Sequence, residues 1–115
     1  MKLATTTGDF THYLDDHCDS VRAVAEAGFK YVDLSFYNEA KPDSVYFKPD
    51  WQDYAKKLKE TAEECGVTFV QSHAPGGNPM VKDGNYEILL EATKRTVEVC
   101  GMLGIPNTVI HTGCR

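Results

Sequence analysis

The chain has 115 residues, of which 42% are hydrophobic and 25% are charged, which fits one globular domain with an apolar core. A net charge of −5 and the lack of any basic run argue against a nucleic-acid-binding surface made by this chain alone, because phosphate recognition needs clustered Lys and Arg. No run approaches the roughly 18 apolar residues of a membrane span, and the start of the chain lacks the apolar segment of a signal peptide. We therefore expect a cytoplasmic protein that handles a small molecule, without nucleic acid or membrane partners.

The predicted elements, in chain order, alternate between strands and helices. The strands are expected over residues 2–7, 31–36, 67–73 and 108–111, and the helices over residues 14–27, 50–65 and 85–104. Asp50 and Asn85 are expected to cap the second and third helices. The connection over residues 37–48 is long, polar and irregular, which is typical of a lid or an insertion.

Three glycines spaced by 38 residues make this pattern a repeat. Gly28, Gly66 and Gly104 each follow apolar residues at helical spacing and precede a strand-like run, which is FKYVDLS, VTFVQSH and IPNTVIH in turn. A glycine in this position commonly ends a helix in a left-handed conformation. The repeat indicates right-handed βαβ units and a parallel sheet.

Polar side chains mark one face of the predicted sheet near the strand ends. Alignment on the glycines places Ser35, His73 and His111 in one row, with Asp33 and Gln71 two residues earlier on the same face. Parallel sheets are normally apolar on both faces, so this face is expected to line a barrel interior or a ligand cleft. The opposite face is expected to pack on the helices through Val32, Leu34, Val70 and Ile110.

The pair of strand-end histidines, His73 and His111, is the main candidate for a binding site. An imidazole can donate a hydrogen bond to a hydroxyl or phosphate, or ligate a metal, so contact with a substrate oxygen or a metal is expected. Two histidines do not complete a zinc site, which takes three or four ligands. Asp33 is interpreted as a structural anchor rather than a general base.

Other residues near the same tip carry weaker signals. Phe36 and Tyr37 are candidates for an aromatic wall against a sugar ring, although Phe36 has the alternative of packing under the following loop. His12 and His17 have no equivalents in the repeat and are interpreted as surface residues. The segment HAPGGNP, residues 73–79, lacks the lysine of a P-loop, so a nucleotide site is not expected.

The cysteines show no CxxC spacing and are interpreted as free thiols, packed at least where they lie on the expected buried sides of helices. The four are Cys18, Cys65, Cys100 and Cys114.

Three segments together resemble a known family. AEAGFKYVDLSF, ECGVTFVQSHAPGGNP and LGIPNTVIHTG are similar to the second, third and fourth strands, with their entering helices, of the sugar phosphate isomerase/epimerase group. This group belongs to the xylose isomerase-like barrels, which also include the AP endonucleases. The resemblance implies that residues 1–115 form the N-terminal half of a (β/α)8 TIM barrel, an α/β fold with four parallel strands and three covering helices.

The resemblance also implies a function and its limits. In the family a divalent metal (Mn, Mg, Co or Zn) is held by residues of strands five to eight, which this chain does not contain, so catalytic and metal-binding residues stay unknown and the chain is expected to be inactive alone. His73 and His111 would face the substrate in the isomerase branch or bind zinc in the AP endonuclease branch. Thr6 and Phe10 would lie near the sugar. The acidic net charge favours the isomerase branch, with a sugar or sugar phosphate as the ligand.

Two alternatives remain open. In one, the chain is a self-associating binding module without catalysis, because a half barrel exposes two strand edges that a second copy would cover. The end of the chain soon after the fourth strand favours instead a shortened protein or gene. In the other, the chain forms a small flavodoxin-like open sheet, although TTTGDFTH is a poor phosphate loop.

Overall fold

A computed structural model describes residues 1–113 and confirms a parallel α/β arrangement. Its strands are β1 (Ala4–Thr6), β2 (Tyr31–Ser35), β3 (Thr68–His73) and β4 (Thr108–Val109). Its α-helices are α1 (His17–Glu26), α2 (Trp51–Glu64) and α3 (Tyr86–Leu103), and short 3-10 turns lie at Thr7–Phe10 and Val45–Phe47. The four strands form one sheet in the order β1-β2-β3-β4, and every neighbouring pair is parallel.

The repeating glycines end the helices as the sequence predicts. Gly28, Gly66 and Gly104 have φ values of 90°, 68° and 69°, which are left-handed conformations that disfavour a side chain. At the other helix ends the predictions hold less well. Asp50 and Asn85 occupy the N-cap positions of α2 and α3 but make no side-chain capping hydrogen bond.

Helix α1 begins three residues later than the periodicity suggests, because a side-chain cap fixes its start. The carboxylate of Asp16 accepts a hydrogen bond from the backbone N–H of Cys18 at 2.7 Å. The apolar spacing of Leu14 therefore belongs to the preceding loop and not to the helix.

The core lies between the sheet and the helices, but two residues predicted to be in it are not. Val32 and Leu34 are fully buried as expected. Val70 is only partly buried, because an irregularity in the β2–β3 ladder pairs Val32 with Phe69 and the next residue of β2 with Gln71, which leaves Val70 without a partner residue. Ile110 lies beyond β4 and is 50% exposed, since no described helix covers it.

The interpretation of His17 as a surface residue is wrong. Its ring is buried at the start of α1, where Nδ1 lies 2.7 Å from the hydroxyl of Tyr46 and Nε2 lies 3.4 Å from a carboxylate oxygen of Glu39. Both partners lie in the connection between β2 and α2. A buried histidine there was not predictable from helical spacing, because its neighbours are supplied by a distant loop.

Cys18, Cys65 and Cys100 are free thiols, as predicted, and the first and last of them are buried while Cys65 is partly buried. Cys114 lies outside the described residues. None of the helices in residues 1–113 combines the length and the apolar character that crossing a membrane requires.

Candidate functional site

A cleft of about 500 Å³ opens at the carboxyl ends of the strands, where the sequence predicts a ligand site. The last residues of β1, β2 and β3 and the segments that follow β1, β2 and β4 line it. The lining residues are Thr6, Gly8, Asp9, Thr11, His12, Ser35, Tyr37, Asn38, His73 and His111.

The structure brings the two strand-end histidines together, although not by the predicted register. Ser35 pairs with His73, as expected, but His73 pairs with Val109 rather than with His111. His111 therefore lies two residues past the row, after the end of β4, and lines the cleft from there. The rings of His73 and His111 still have their centroids 6.1 Å apart, with an interplanar angle of 31°.

Tyr37 forms the aromatic wall of the cleft. The residue is 57% exposed, and its ring meets that of His111 edge to face, with centroids 6.0 Å apart. The segment after β3 is bound to the backbone of Tyr37, since the N–H of Gly76 donates to the carbonyl of Tyr37 at 2.9 Å. A Cβ atom on Gly76 would lie 2.4 Å from Cε2 of Tyr37. The glycine therefore permits the close approach that places the ring.

Two of the predicted substrate-side residues do not reach the cleft. Phe36 is 1% exposed and packs in the core against Tyr46 and His17, with ring centroids 5.1 and 5.9 Å away. Its packing alternative is thus the one observed. Phe10 also packs against the core. Thr6 does line the cleft, and its hydroxyl oxygen accepts a hydrogen bond from the N–H of Gly8 at 3.0 Å.

Asp33 is tied to two neighbouring side chains on the inner face of the sheet. Its carboxylate accepts a hydrogen bond from Nε2 of Gln71 at 2.6 Å, and its two oxygens lie 3.0 and 2.8 Å from Nδ1 of His73. The side chain of Asp33 is 12% exposed and that of His73 is 37% exposed. The carboxylate therefore lies beneath the imidazole, which faces the cleft above it.

Sequence reasoning missed most of the loop after β1. Gly8, Asp9 and Thr11 line the cleft, and so does His12, whose ring is exposed as predicted but at the rim of the site. The signal was present, because in (β/α) barrels the loops after the strands build the site, and these residues directly follow β1.

The described residues do not form a metal site by themselves. Within residues 1–113 no group of three or more His, Cys, Asp and Glu side chains is placed to hold a metal ion. His73 and His111 offer two rings, and Nδ1 of His73 is already engaged by Asp33. The zinc site implied by the AP endonuclease branch is therefore not assembled by these residues.

Several solved structures share this fold. A crystal structure of D-psicose 3-epimerase in the presence of D-fructose superposes with a TM-score of 0.61 and 14% identity, covering 96% of this chain and 37% of that chain. A crystal structure of a sugar phosphate isomerase/epimerase from Parabacteroides distasonis gives a TM-score of 0.58 and 19% identity, covering 99% of this chain and 40% of that one. The chain thus spans about two fifths of the length of these structures. No curated protein matches its sequence.

The family follows from a longer sequence match. The sequence profile of the xylose isomerase-like TIM barrel family matches residues 21–115, which include β2, β3 and β4 and all three α-helices except the first residues of α1. The observed parallel sheet and the superposed barrels agree with this match. The chain therefore belongs to the xylose isomerase-like TIM barrel family.

Proposed function

We propose that this chain forms the substrate-binding side of a sugar isomerase or epimerase barrel and binds a sugar or sugar phosphate at its cleft. The observation that carries this proposal is the convergence of Tyr37, His73 and His111 at the carboxyl ends of the strands. A sugar ring offers hydroxyls for polar side chains and a C–H face for an aromatic ring, and the cleft presents both kinds of partner.

The size and polarity of the cleft support the same ligand class. Its volume of about 500 Å³ lies within the range of small-molecule sites. Hydroxyl groups of Thr6, Thr11 and Ser35 and the amide of Asn38 add donors and acceptors around the histidines. The net charge of −5 favours a small ligand over a polyanion such as DNA, which weighs against the AP endonuclease branch.

We also propose that this chain alone does not catalyse the reaction. Carbonyl isomerisation or epimerisation needs a group that polarises the carbonyl and a base that moves the proton on the adjacent carbon, and a divalent metal (Mn, Mg, Co or Zn) supplies the polarisation in the family as the resemblance implies. Of the carboxylates near the cleft, Asp33 is engaged by two side chains. The role of the described residues is to bind and orient the sugar.

Exposed strand edges favour a second candidate, the self-associating binding module. In the described sheet β1 and β4 are edge strands, and Ile110 beside β4 is half exposed. A second copy that covered these edges would leave the cleft as a binding site without catalysis.

Histidine ring resonances measured by NMR during a titration with D-fructose or D-fructose 6-phosphate test the binding proposal. We expect the resonances of His73 and His111 to shift and to saturate, while those of His17, which is buried in the core, stay unchanged and serve as the internal control. If none of the three shifts, or if all three shift alike, the cleft is not a sugar site.

An assay of ketose epimerisation with added Mn²⁺ or Co²⁺ tests the second part of the proposal. We expect no product from the isolated chain. Turnover that disappears in a His73→Ala variant would show that the chain is catalytic by itself and would refute the claim of inactivity.

A further inference from the structure

We infer that Asp33 is a positioning residue that holds His73 in the tautomer with the proton on Nδ1, so that Nε2 accepts a hydrogen bond from a sugar hydroxyl. The identity of the ligand rests on the proposed function, whereas the tautomer does not. The inference assigns to the His73 position a hydroxyl subsite rather than a phosphate subsite.

The geometry at Nδ1 fixes which ring nitrogen carries the proton. Nδ1 lies 2.8 and 3.0 Å from the two carboxylate oxygens of Asp33, and an ionised carboxylate can only accept hydrogen bonds. Nδ1 of His73 must therefore donate. In a neutral imidazole the other nitrogen then carries the lone pair.

Gln71 makes the orientation of the carboxylate specific. Its Nε2 donates to Asp33 at 2.6 Å, and the two residues are partners in the β2–β3 register. His73 follows two residues later on the same strand face. Asp33 is thus held on one side by Gln71 and presents its oxygens to His73 on the other.

The second nitrogen of His73 is open to the cleft. Among residues 1–113 this nitrogen has no hydrogen-bond partner. It is also absent from the polar atoms that are buried without a partner, so it is accessible from the cleft. Nε2 of His111 differs, because it is buried and has no hydrogen-bond partner within the described part of the chain. His73 therefore offers the cleft an accessible imidazole lone pair whose position is fixed by Asp33.

An accessible lone pair selects among the groups of a sugar phosphate. A hydroxyl can donate a hydrogen bond to it, whereas an ionised phosphate oxygen is itself an acceptor and would be repelled. A metal ion also binds an imidazole lone pair, but the described residues offer no set of three ligands for one. A hydroxyl is therefore the group that fits.

Imidazole ¹⁵N spectra of the protein labelled at histidine test the tautomer directly, at a pH where the rings are neutral. We expect His73 to be protonated on Nδ1 in the wild-type chain and to become a mixture of tautomers in Asp33→Asn. Gln71→Leu, which removes the other partner of Asp33, should leave the tautomer unchanged. Unaltered His17 resonances in each variant show that the fold is intact.

Several outcomes would overturn the inference. One is a wild-type His73 protonated on Nε2, and this result is decisive even if Asp33→Asn fails to fold. Another is a folded Asp33→Asn variant with the wild-type tautomer, which would remove the positioning role. A third is stoichiometric binding of Zn²⁺ to Nε2 of His73 in the sugar-free protein, which would show that this nitrogen binds a metal rather than a hydroxyl.

Addition of D-fructose separates this inference from the proposed function. A shift of the Nε2 resonance of His73 that is lost in Asp33→Asn supports both. An Nδ1-protonated wild-type ring with no response to D-fructose or D-fructose 6-phosphate at any cleft residue refutes the proposed function but supports the positioning role of Asp33.

Discussion

At the residue scale, the contact between Gly76 and Tyr37 controls the shape of the cleft. In Gly76→Ala the new Cβ would overlap the Tyr37 ring, which is the far end of an exposed side chain and is free to swing away. We expect a loss of stability of at most about 1 kcal/mol but a clear change in the His111 ring resonances, because His111 loses its edge-to-face neighbour. Urea unfolding and NMR spectra measure the two effects.

Gly84→Ala is the matched control for this substitution. A Cβ at Gly84 meets no atom within 4 Å, so neither the stability nor the His111 spectrum should change appreciably. If the two variants leave His111 equally undisturbed, Gly76 does not position Tyr37.

Individual residues of the cleft were predictable from the sequence only where their position on a strand decides their exposure. Thr6 and His73 end strands, and Tyr37 follows one closely, so the rule that ligands meet the carboxyl ends of strands is enough to place them. Phe36 and His17 are different, since each is buried by Tyr46 from a loop ten or more residues away. Local periodicity contains no information about that loop.

At the scale of the element, two glycines near the end of α3 should respond in opposite ways to the same change. Gly101 lies inside the helix, is exposed, and has open space where a Cβ would be. Gly101→Ala should therefore stabilise the protein by about 0.5–1 kcal/mol, because alanine loses less backbone entropy in a helix.

Gly104→Ala should instead destabilise it by about 1 kcal/mol, because φ at Gly104 is +69° and a side chain disfavours that conformation. Thermal and urea unfolding of both variants measure the difference. If both variants change the stability in the same direction, α3 does not end at Gly104 in a left-handed conformation.

The buried contacts of Glu39 tie the loop between β2 and α2 to helix α1. Its carboxylate accepts a hydrogen bond from the hydroxyl of Ser44 and lies 3.4 Å from Nε2 of His17. Burial alone would raise the pKa of Glu39, but the hydrogen bonds from His17 and Ser44 outweigh burial and lower the pKa below its ordinary value of 4.5. The folded state thus favours the ionised carboxylate.

A pKa that is lower in the folded than in the unfolded chain makes stability depend on pH. The contribution of Glu39 is complete above its unfolded pKa of 4.5 and is lost as the pH falls through the folded value. We expect Glu39→Gln to be less stable than the wild type by about 1.5–3 kcal/mol at neutral pH, because it loses hydrogen bonds to a charged group. The gap should narrow below the unfolded pKa.

Urea midpoints of the wild type and Glu39→Gln, measured from neutral pH to about pH 3, test this dependence. Glu63→Gln, a change at an exposed position of α2, is the control and should match the wild type throughout. A gap between wild type and Glu39→Gln that stays constant with pH would contradict the assigned pKa direction.

The elements themselves were largely predictable, whereas the last register was not. The glycine repeat predicts the helix ends because both signals, the glycine with positive φ and the apolar spacing before it, lie in the sequence next to each end. It also assumes that β4 pairs as β3 does, but His73 pairs with Val109, two residues short of the repeat position. Pro106 has no N–H, and the chain resumes hydrogen bonding at Asn107, whose carbonyl accepts from Ser72 at 2.9 Å. A count of residues does not reveal which backbone groups pair.

At the scale of the whole molecule, the dominant feature of residues 1–113 is that β1 and β4 are edge strands, each paired on one side only. Unpaired backbone groups and the half-exposed Ile110 favour association with another copy. Light scattering should give a mean mass above the 12.8 kDa of one chain, increasing with concentration. Ile110→Lys should lower it, and Val97→Lys, the same change on an exposed position of helix α3, should not.

A mass of one chain at every concentration would contradict this prediction and would remove the self-associating module as a candidate. A mass above one chain that Ile110→Lys and Val97→Lys lower equally would show that association does not use the β4 edge.

The buried thiol of Cys100 allows the opening of helix α3 to be measured by chemical labelling. Cys100 lies on the buried face of α3 with its sulfur 3.1 Å from the hydroxyl of Ser72 on β3, and burial raises the pKa of the thiol although the hydrogen bond between Cys100 and Ser72 opposes this. A thiol reagent can reach it only after the helix lifts from the sheet, so the labelling rate of Cys100 reports how often that layer detaches. Cys18, on the buried face of α1, would report the detachment of that helix in the same experiment.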